Sequence, residues 1–347
     1  MVEKKDFIPP VLFKIKKRIE SAIHFRKKMH DKTLMERACH FHELFPNHDG
    51  DIFPCCLTWG RRNMKIANLR DKDLLKKIAD FDAKCYCERY RLRKARRNES
   101  PDYDLFNIEF SLLCNGNCAM CGVRAPYLKK PYEYYKEMKD LIILYKPRRL
   151  SIQGGEIFIQ KKTVKWLEEI RKLFPSMEIG LLTNGNHDMS YVDKTEELFN
   201  DVWISFVGYQ SETYKKTMGL EIERSKLFAM ELIKRRRIHV TLKFLTTASN
   251  IHEANLFLKW GIEVSPQRIS FQDSDLKAYI NNKVSDNYWK KIFHRTADSF
   301  KSEIRENSSL IAARDIKIFI DSSCREILEI DDEFLDEFKD FMEWFKN

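Results

Sequence analysis

The segment "FSLLCNGNCAMCGVR", residues 110–124, places Cys114, Cys118 and Cys121 within eight residues, directly after a run that reads as a strand. Three thiols so close together suit ligation of one centre. A structural zinc ion takes four ligands, usually from paired knuckles, so three on one loop leave its fourth position open. A cubane 4Fe-4S cluster held by three thiolates keeps one iron free to bind something else. The chain has nine cysteines, an odd number, and seven of them lie between Cys55 and Cys121. That distribution suits metal ligation in a reducing compartment better than a disulfide framework. Cys324 stands alone in the C-terminal region and reads as a packed thiol.

The elements that must position this loop are legible from hydrophobic periodicity. From residue 105 the strand-like runs "LFNIEF", "RRLSIQG", "MEIGLLT", "DVWISFVG", "HVTLKFLTT" and "RISFQ" alternate with the helix-like runs "YEYYKEMKDLIILY", "KKTVKWLEEIRKLF", "SYVDKTEELF", "RSKLFAMELIKRRR" and "IHEANLFLKW". Strands separated by helices imply a parallel sheet with helical cover, either open and doubly wound or a full or partial barrel. In each case working residues collect at the C-terminal ends of the strands, where the cysteine triplet sits. The expected organisation is an N-terminal basic helical segment over 1–35, a cysteine-rich domain and linker over 36–98, an α/β unit over 99–280 and a helical region over 281–347. The basic run "ERYRLRKARRN", residues 88–98, reads as an interdomain connector.

Composition bounds the rest. Of 347 residues 43% are hydrophobic and 12% aromatic, enough for one large core or two smaller ones. No apolar run approaches a membrane span and the N-terminus is charged throughout, so a cytoplasmic protein with no membrane partner is expected. The net charge of +10 is assigned to solvated helix faces rather than to nucleic acid, since no nucleic-acid-binding module is recognisable. Residues 10–30 carry Leu12, Ile15, Ile19 and Ile23 at helical spacing and read as a packed amphipathic helix.

The spacing Cys-x3-Cys-x2-Cys after a first strand resembles the signature of the radical S-adenosylmethionine (SAM) superfamily. The resemblance implies a partial (β/α)6 barrel of the TIM type. It also implies a 4Fe-4S cluster on Cys114, Cys118 and Cys121 whose open iron chelates SAM. An electron from the cluster then cleaves SAM to a 5′-deoxyadenosyl radical, the difficult chemistry belonging to the cofactor pair. Further residues follow in the family's order: Gly154, Gly155 and Glu156 after the second strand, Thr183 and Asn184 after the third, Ser205 in the fourth, and Met120 where a residue packs on adenine. The resemblance implies SAM contacts for all of them. In particular, the glycines would let the backbone approach the methionine moiety, and the Glu156 carboxylate would meet the SAM ammonium. One departure is Val207, where peptide-modifying branches commonly carry an acid.

Ahead of the barrel, Cys39-x10-Gly50-x4-Cys55 resembles the opening motif of SPASM and twitch auxiliary-cluster domains, here placed N-terminally. Cys56, Cys85 and Cys87 follow, so five cysteines compete for four places. Cys39, Cys55, Cys85 and Cys87 are expected to hold a second, auxiliary 4Fe-4S cluster, with Cys56 a buried thiol. Zinc remains the alternative there. His40 and His42 are read as ordinary surface or core residues.

The expected function is therefore hydrogen-atom abstraction by a radical SAM enzyme, with a reducing donor such as flavodoxin or ferredoxin. Modification of a peptide or protein is the first substrate class, and dehydrogenation or epimerisation of a sugar-like or other polar small molecule the second. Arg124, Tyr209, Lys243, Gln272 and Asp273 are expected at the barrel mouth and suit either. The non-catalytic alternative is a zinc-stabilised basic binding protein.

Overall fold

The computed structural model describes residues 37–39, 43–58, 64–81, 84–87, 91–95, 103–123, 125–274 and 287–344. The amphipathic segment expected over 10–30, His40, His42 and Arg124 lie outside the described residues. Eight strands run parallel in chain order: β7 (Leu105–Glu109), β8 (Arg149–Gln153), β9 (Glu178–Thr183), β10 (Asp201–Phe206), β11 (His239–Thr246), β12 (Arg268–Asp273), β13 (Lys317–Ile320) and β14 (Met342–Trp344). The first six are those expected from the sequence. Among the described residues no pairing joins the two ends of the sheet.

Helices alternate with the strands: α2 (Ala125–Leu128) and α3 (Tyr135–Tyr145) after β7, α4 (Lys161–Leu173), α5 (Tyr191–Leu198), α6 (Ser211–Met218), α7 (Ile222–Arg235) and α8 (Ala254–Val264). α4 shows why they form. It buries Thr163, Trp166, Leu167 and Ile170, the one-face spacing of a helix laid on a sheet. The sheet's outer face is equally apolar: Phe206, Phe244 and Phe271 meet Phe257 of α8 with ring centroids 5.3, 4.9 and 6.0 Å apart. Each ring fully buried this way contributes about 2–3 kcal/mol. Because side chains alternate across a strand, the residues between these phenylalanines face the barrel interior.

Two differences from the sequence reading stand out. The C-terminal region contributes α9 (Asn287–Ala313), α10 (Ser322–Ile327) and α11 (Asp332–Glu337), but it also adds the parallel strands β13 and β14. The alternation in "KIFI" carried that signal, masked by the helical runs on both sides. The supposed connector at 88–98 contains β6 (Arg91–Ala95), which pairs with β1 (Arg37–Cys39) and with β5 (Lys84–Cys87). Basic residues are poor strand formers, and only cross-strand pairing selects the extended state there.

The front segment does not stand apart from the barrel. β2 (Glu43–Pro46) lies parallel to β7 as another strand of the large sheet, and β3 (Asp51–Phe53) and β4 (Ala67–Asn68) continue from it antiparallel. α1 (Leu74–Asp80) follows and buries Ile78. No helix among the described residues is long and apolar enough to cross a membrane.

Candidate functional site

The cysteine loop leaves β7 and is bonded along its length. Phe110 N donates to Gln153 O at 2.9 Å and Leu112 N to Lys130 O at 2.7 Å. Farther on, Asn117 N and Ala119 N donate to the carbonyls of Met218 and Thr217, at 2.7 and 3.0 Å, at the end of α6. This short helix was not foreseen, and it supplies the loop's acceptors. Gly116 N donates to Cys114 Sγ at 3.3 Å. All three thiols are half-buried. Burial, first, and the neighbouring Cys114 and Cys121 thiols push Cys118 up to about 12; burial pushes Cys114 up to about 11, with Glu156 and Cys121 adding to it.

Clustered thiols that burial keeps protonated are stable as thiolates only when a cation shares the site. Among the described residues no three His, Cys, Asp or Glu side chains converge on a point that a single metal ion could occupy.

Gly154 and Gly155 lie tight against the cysteine loop. A Cβ on Gly155 would lie 2.0 Å from Leu113 O, and one on Gly154, at φ +143, would lie 2.7 Å from Ser111 O. What approaches these glycines is the backbone of the cysteine loop. Gly155 N donates to Ser111 O and Glu156 N to Leu113 O, both at 2.7 Å. The glycines are required because two backbones meet here.

Glu156 is also engaged within the fold. Its side chain is turned inward, 1% exposed, and is consumed by protein donors. Oε1 accepts from Ile157 N at 3.0 Å and faces His187 Nε2 at 3.1 Å; Oε2 accepts from Thr183 Oγ1 and Asn184 N, both at 2.9 Å. Burial raises its pKa, but His187, Asn184 and Thr183 together outweigh burial and hold it below the ordinary value. Carboxylate and hydroxyl together clamp the end of β8 to the end of β9.

Asn184 continues the clamp. Its Nδ2 donates to Asn115 Oδ1 at 2.7 Å, and Asn115 Nδ2 donates to Asn186 O at 3.0 Å. Met120 is half-buried against the core, and Val207 is buried with its carbonyl accepting from Thr217 Oγ1. Ser205 faces the barrel interior beside Lys243. His187 is the residue that sequence reasoning missed; nothing in its local spacing distinguishes it from a loop histidine.

The front cysteines are arranged differently. Cys55 is half-buried in a turn closed by Thr58, whose N and Oγ1 donate to Cys55 O at 3.1 and 2.8 Å. Cys56, expected to be buried, is exposed, its N donating to Glu43 Oε1 at 3.0 Å. The backbones of Cys39, Cys85 and Cys87 are described but their side chains are not. Cys39 is opposite Ala95 and Cys85 opposite Arg93, so β6 lies between the strands that carry them. Two strand spacings, about 9–10 Å, separate those backbones.

The turn at 47–50 joins this segment to the barrel mouth. His48 Nδ1 bonds Glu109 Oε1 in a buried pair, and Lys130 pairs with Asp49. Gly50 takes φ +74 with its Cα against the Tyr134 ring, where a Cβ would meet Cε1 at 2.6 Å.

No family model matches the chain, and no curated protein does. Solved structures align with part of the chain. SuiB from Streptococcus suis bound to S-adenosylmethionine is 16% identical over 62% of this chain and 50% of that chain, with a TM-score of 0.47. SuiB bound to the precursor peptide SuiA gives 16%, 62%, 48% and 0.46. Native anSMEcpe with bound AdoMet and Kp18Cys peptide gives 18%, 62%, 63% and 0.48. The match thus takes in about half to 63% of the length of these structures.

Proposed function

We propose that the chain is a radical SAM enzyme that abstracts a hydrogen atom from a polar substrate, in the first instance a peptide or protein. The observation that carries this reading is the cysteine loop at the C-terminal ends of the barrel strands, bonded backbone to backbone with Gly155 and Glu156. Cys114, Cys118 and Cys121 would hold a 4Fe-4S cluster. With SAM on its open iron and an electron from a donor such as flavodoxin or ferredoxin, that centre supplies a 5′-deoxyadenosyl radical.

The chain's own residues do the rest. Gly154 and Gly155 let the β8 end lie against the cysteine loop, and Glu156 locks that end to Thr183 and Asn184. The clamp holds the loop's shape before any cofactor arrives, the preorganisation that positioned chemistry needs. Met120, Gly154, Gly155, Glu156, Thr183, Asn184 and Ser205 would line the SAM site. Cys39, Cys55, Cys85 and Cys87 would carry an auxiliary cluster, or zinc, in the front segment.

A second reading, a polar small molecule as substrate, is favoured by the interior-facing Ser205, Lys243, Ser270 and Gln272. Metal analysis of anaerobically reconstituted protein tests the cofactor assignment. About eight irons per chain are expected, falling to about four when the triplet is replaced by alanine, as two independent cubanes require. Zinc without acid-labile sulfide would favour the non-catalytic alternative.

A further inference from the structure

Apolar side chains are exposed on both flanks of the cysteine loop. α2 buries Ala125 and leaves Tyr127 and Leu128 55% and 52% exposed, and the 3-10 turn Ile157–Ile159 after β8 leaves Ile159 43% exposed. Both pieces are tied to the two residues ahead of Cys114: Lys130 O accepts from Leu112 N, and Glu156 N donates to Leu113 O, each at 2.7 Å. A single exposed leucine is ordinary, but three large apolar side chains around one loop mark a contact surface.

Cations collect on the same flanks. Lys129 follows α2, and Lys161 and Lys162 open α4 directly after the 3-10 turn; all three are exposed and have no ion pair among the described residues. Lys162 Nζ lies 5.0 Å from the centre of the Tyr135 ring, a contact that leaves its charge uncompensated. The acids of this stretch are engaged elsewhere: Glu137 with Arg70 at 2.9 Å, Asp140 with Lys136 at 3.5 Å, Glu156 in the clamp. Lys130 is neutralised by Asp49, which leaves exposed Glu133 against three lysines.

The geometry points to a docking surface for an acidic electron-carrying protein, built from Tyr127, Leu128 and Ile159 with Lys129, Lys161 and Lys162 around them. Electron-transfer partners meet over small interfaces, below about 1,200 Å² in total, whereas permanent dimers bury about 2,000 Å² or more. Three apolar side chains suit the first. Unpaired lysines at the rim speed the approach of an acidic partner and repel a second copy that presents the same lysines. The surface rests on the function proposed above for the centre it would serve: one electron leaves the reduced group of the carrier and enters the cluster on Cys114, Cys118 and Cys121.

Stopped-flow reduction of the anaerobically reconstituted full chain by photoreduced flavodoxin, with dithionite as a reductant that needs no docking, tests this. The variant with Lys129→Glu, Lys161→Glu and Lys162→Glu should be reduced by flavodoxin at least about tenfold more slowly at low salt, and by dithionite within about twofold of wild type. Leu128→Ser should slow reduction by flavodoxin about threefold and leave dithionite unaffected. Calorimetric titration with oxidised flavodoxin separates the surface from the cluster. The triplet alanine variant should bind as wild type does, and the lysine variant at least about tenfold more weakly. Failure of dithionite to reduce wild type would count against the cluster, while this titration still decides the surface. Equal flavodoxin rates and affinities for wild type and the lysine variant would overturn the proposal, as would a wild-type dimer in sedimentation that Leu128→Ser turns into a monomer.

Discussion

Around Cys114, Cys118 and Cys121 the loop's amides are bonded to β8, to Lys130 and to the end of α6, and its flank is clamped by Glu156, Thr183 and Asn184. Around Cys55 and Cys56 there is a short turn, tied to the barrel by the pairing of β2 with β7 and by His48 on Glu109. In the first region the protein's own hydrogen bonds set the shape of the loop. In the second, Cys39 and Cys85 sit on strands separated by β6, so the described backbone carries them on strands two positions apart. A centre built there must supply part of its own folding energy, as metal sites in small cysteine-rich segments do. The triplet should therefore keep its loop without metal, and the front segment should not.

The largest effect that would sharpen this contrast comes from Gly155→Ala. Its Cβ would stand 2.0 Å from a backbone oxygen that cannot swing aside, so the loop must separate from β8. SAM cleavage should fall at least tenfold, each tenfold being about 1.4 kcal/mol, and iron content should fall with it. In the front segment Gly50→Ala meets a tyrosine ring that can rotate, and its cost should be about 1–3 kcal/mol of backbone strain. Calorimetry together with iron content distinguishes the two; equal losses would remove the contrast.

Glu156→Gln comes next. It replaces an acceptor of several hydrogen bonds by a group that must present a donor to one of them, and it leaves His187 without its anion. Leaving a buried polar group of this kind without its partner costs about 1–3 kcal/mol. The sign with pH follows from the depressed carboxylate. Its stabilisation is present above the ordinary value of 4.5 and is lost as pH falls from there through the lower folded value, where the proton finally binds. Thermal melts of wild type should show that acid limb and those of Glu156→Gln should lack it. An unchanged melting profile would mean the clamp is idle.

His48→Gln should have a smaller effect, toward the lower end of that range, because one buried bond to Glu109 is weakened while β2 stays paired. Cleavage of SAM at the triplet should survive it. Limited proteolysis should instead cut the front segment faster, and equal cutting rates would show that His48 is not the tie.

The six barrel strands and the cysteine loop were legible because strand periodicity and ligand spacing are local. β13 and β14 were not, since a strand of three or four residues beside long helices is selected by pairing with a sheet already formed. The Gly-Gly-Glu segment was legible as a motif, but its contacts within the fold were not. Whether a glycine admits a ligand or a neighbouring backbone depends on Ser111 and Leu113, some forty residues away in sequence. The same holds for Glu156, whose partners Thr183, Asn184 and His187 come from the next strand end, and only the fold brings them to its carboxylate.

The central claim is that the Cys114, Cys118 and Cys121 loop carries the SAM-cleaving centre, and the most direct test is 5′-deoxyadenosine formation. Wild type and the variant with Cys114→Ala, Cys118→Ala and Cys121→Ala would be reconstituted anaerobically and supplied with SAM and dithionite. Wild type should accumulate 5′-deoxyadenosine and the variant none, with its fold retained because the loop is held by backbone bonds that alanine preserves. Undiminished 5′-deoxyadenosine from a folded variant, or none from iron-loaded wild type, would contradict the account.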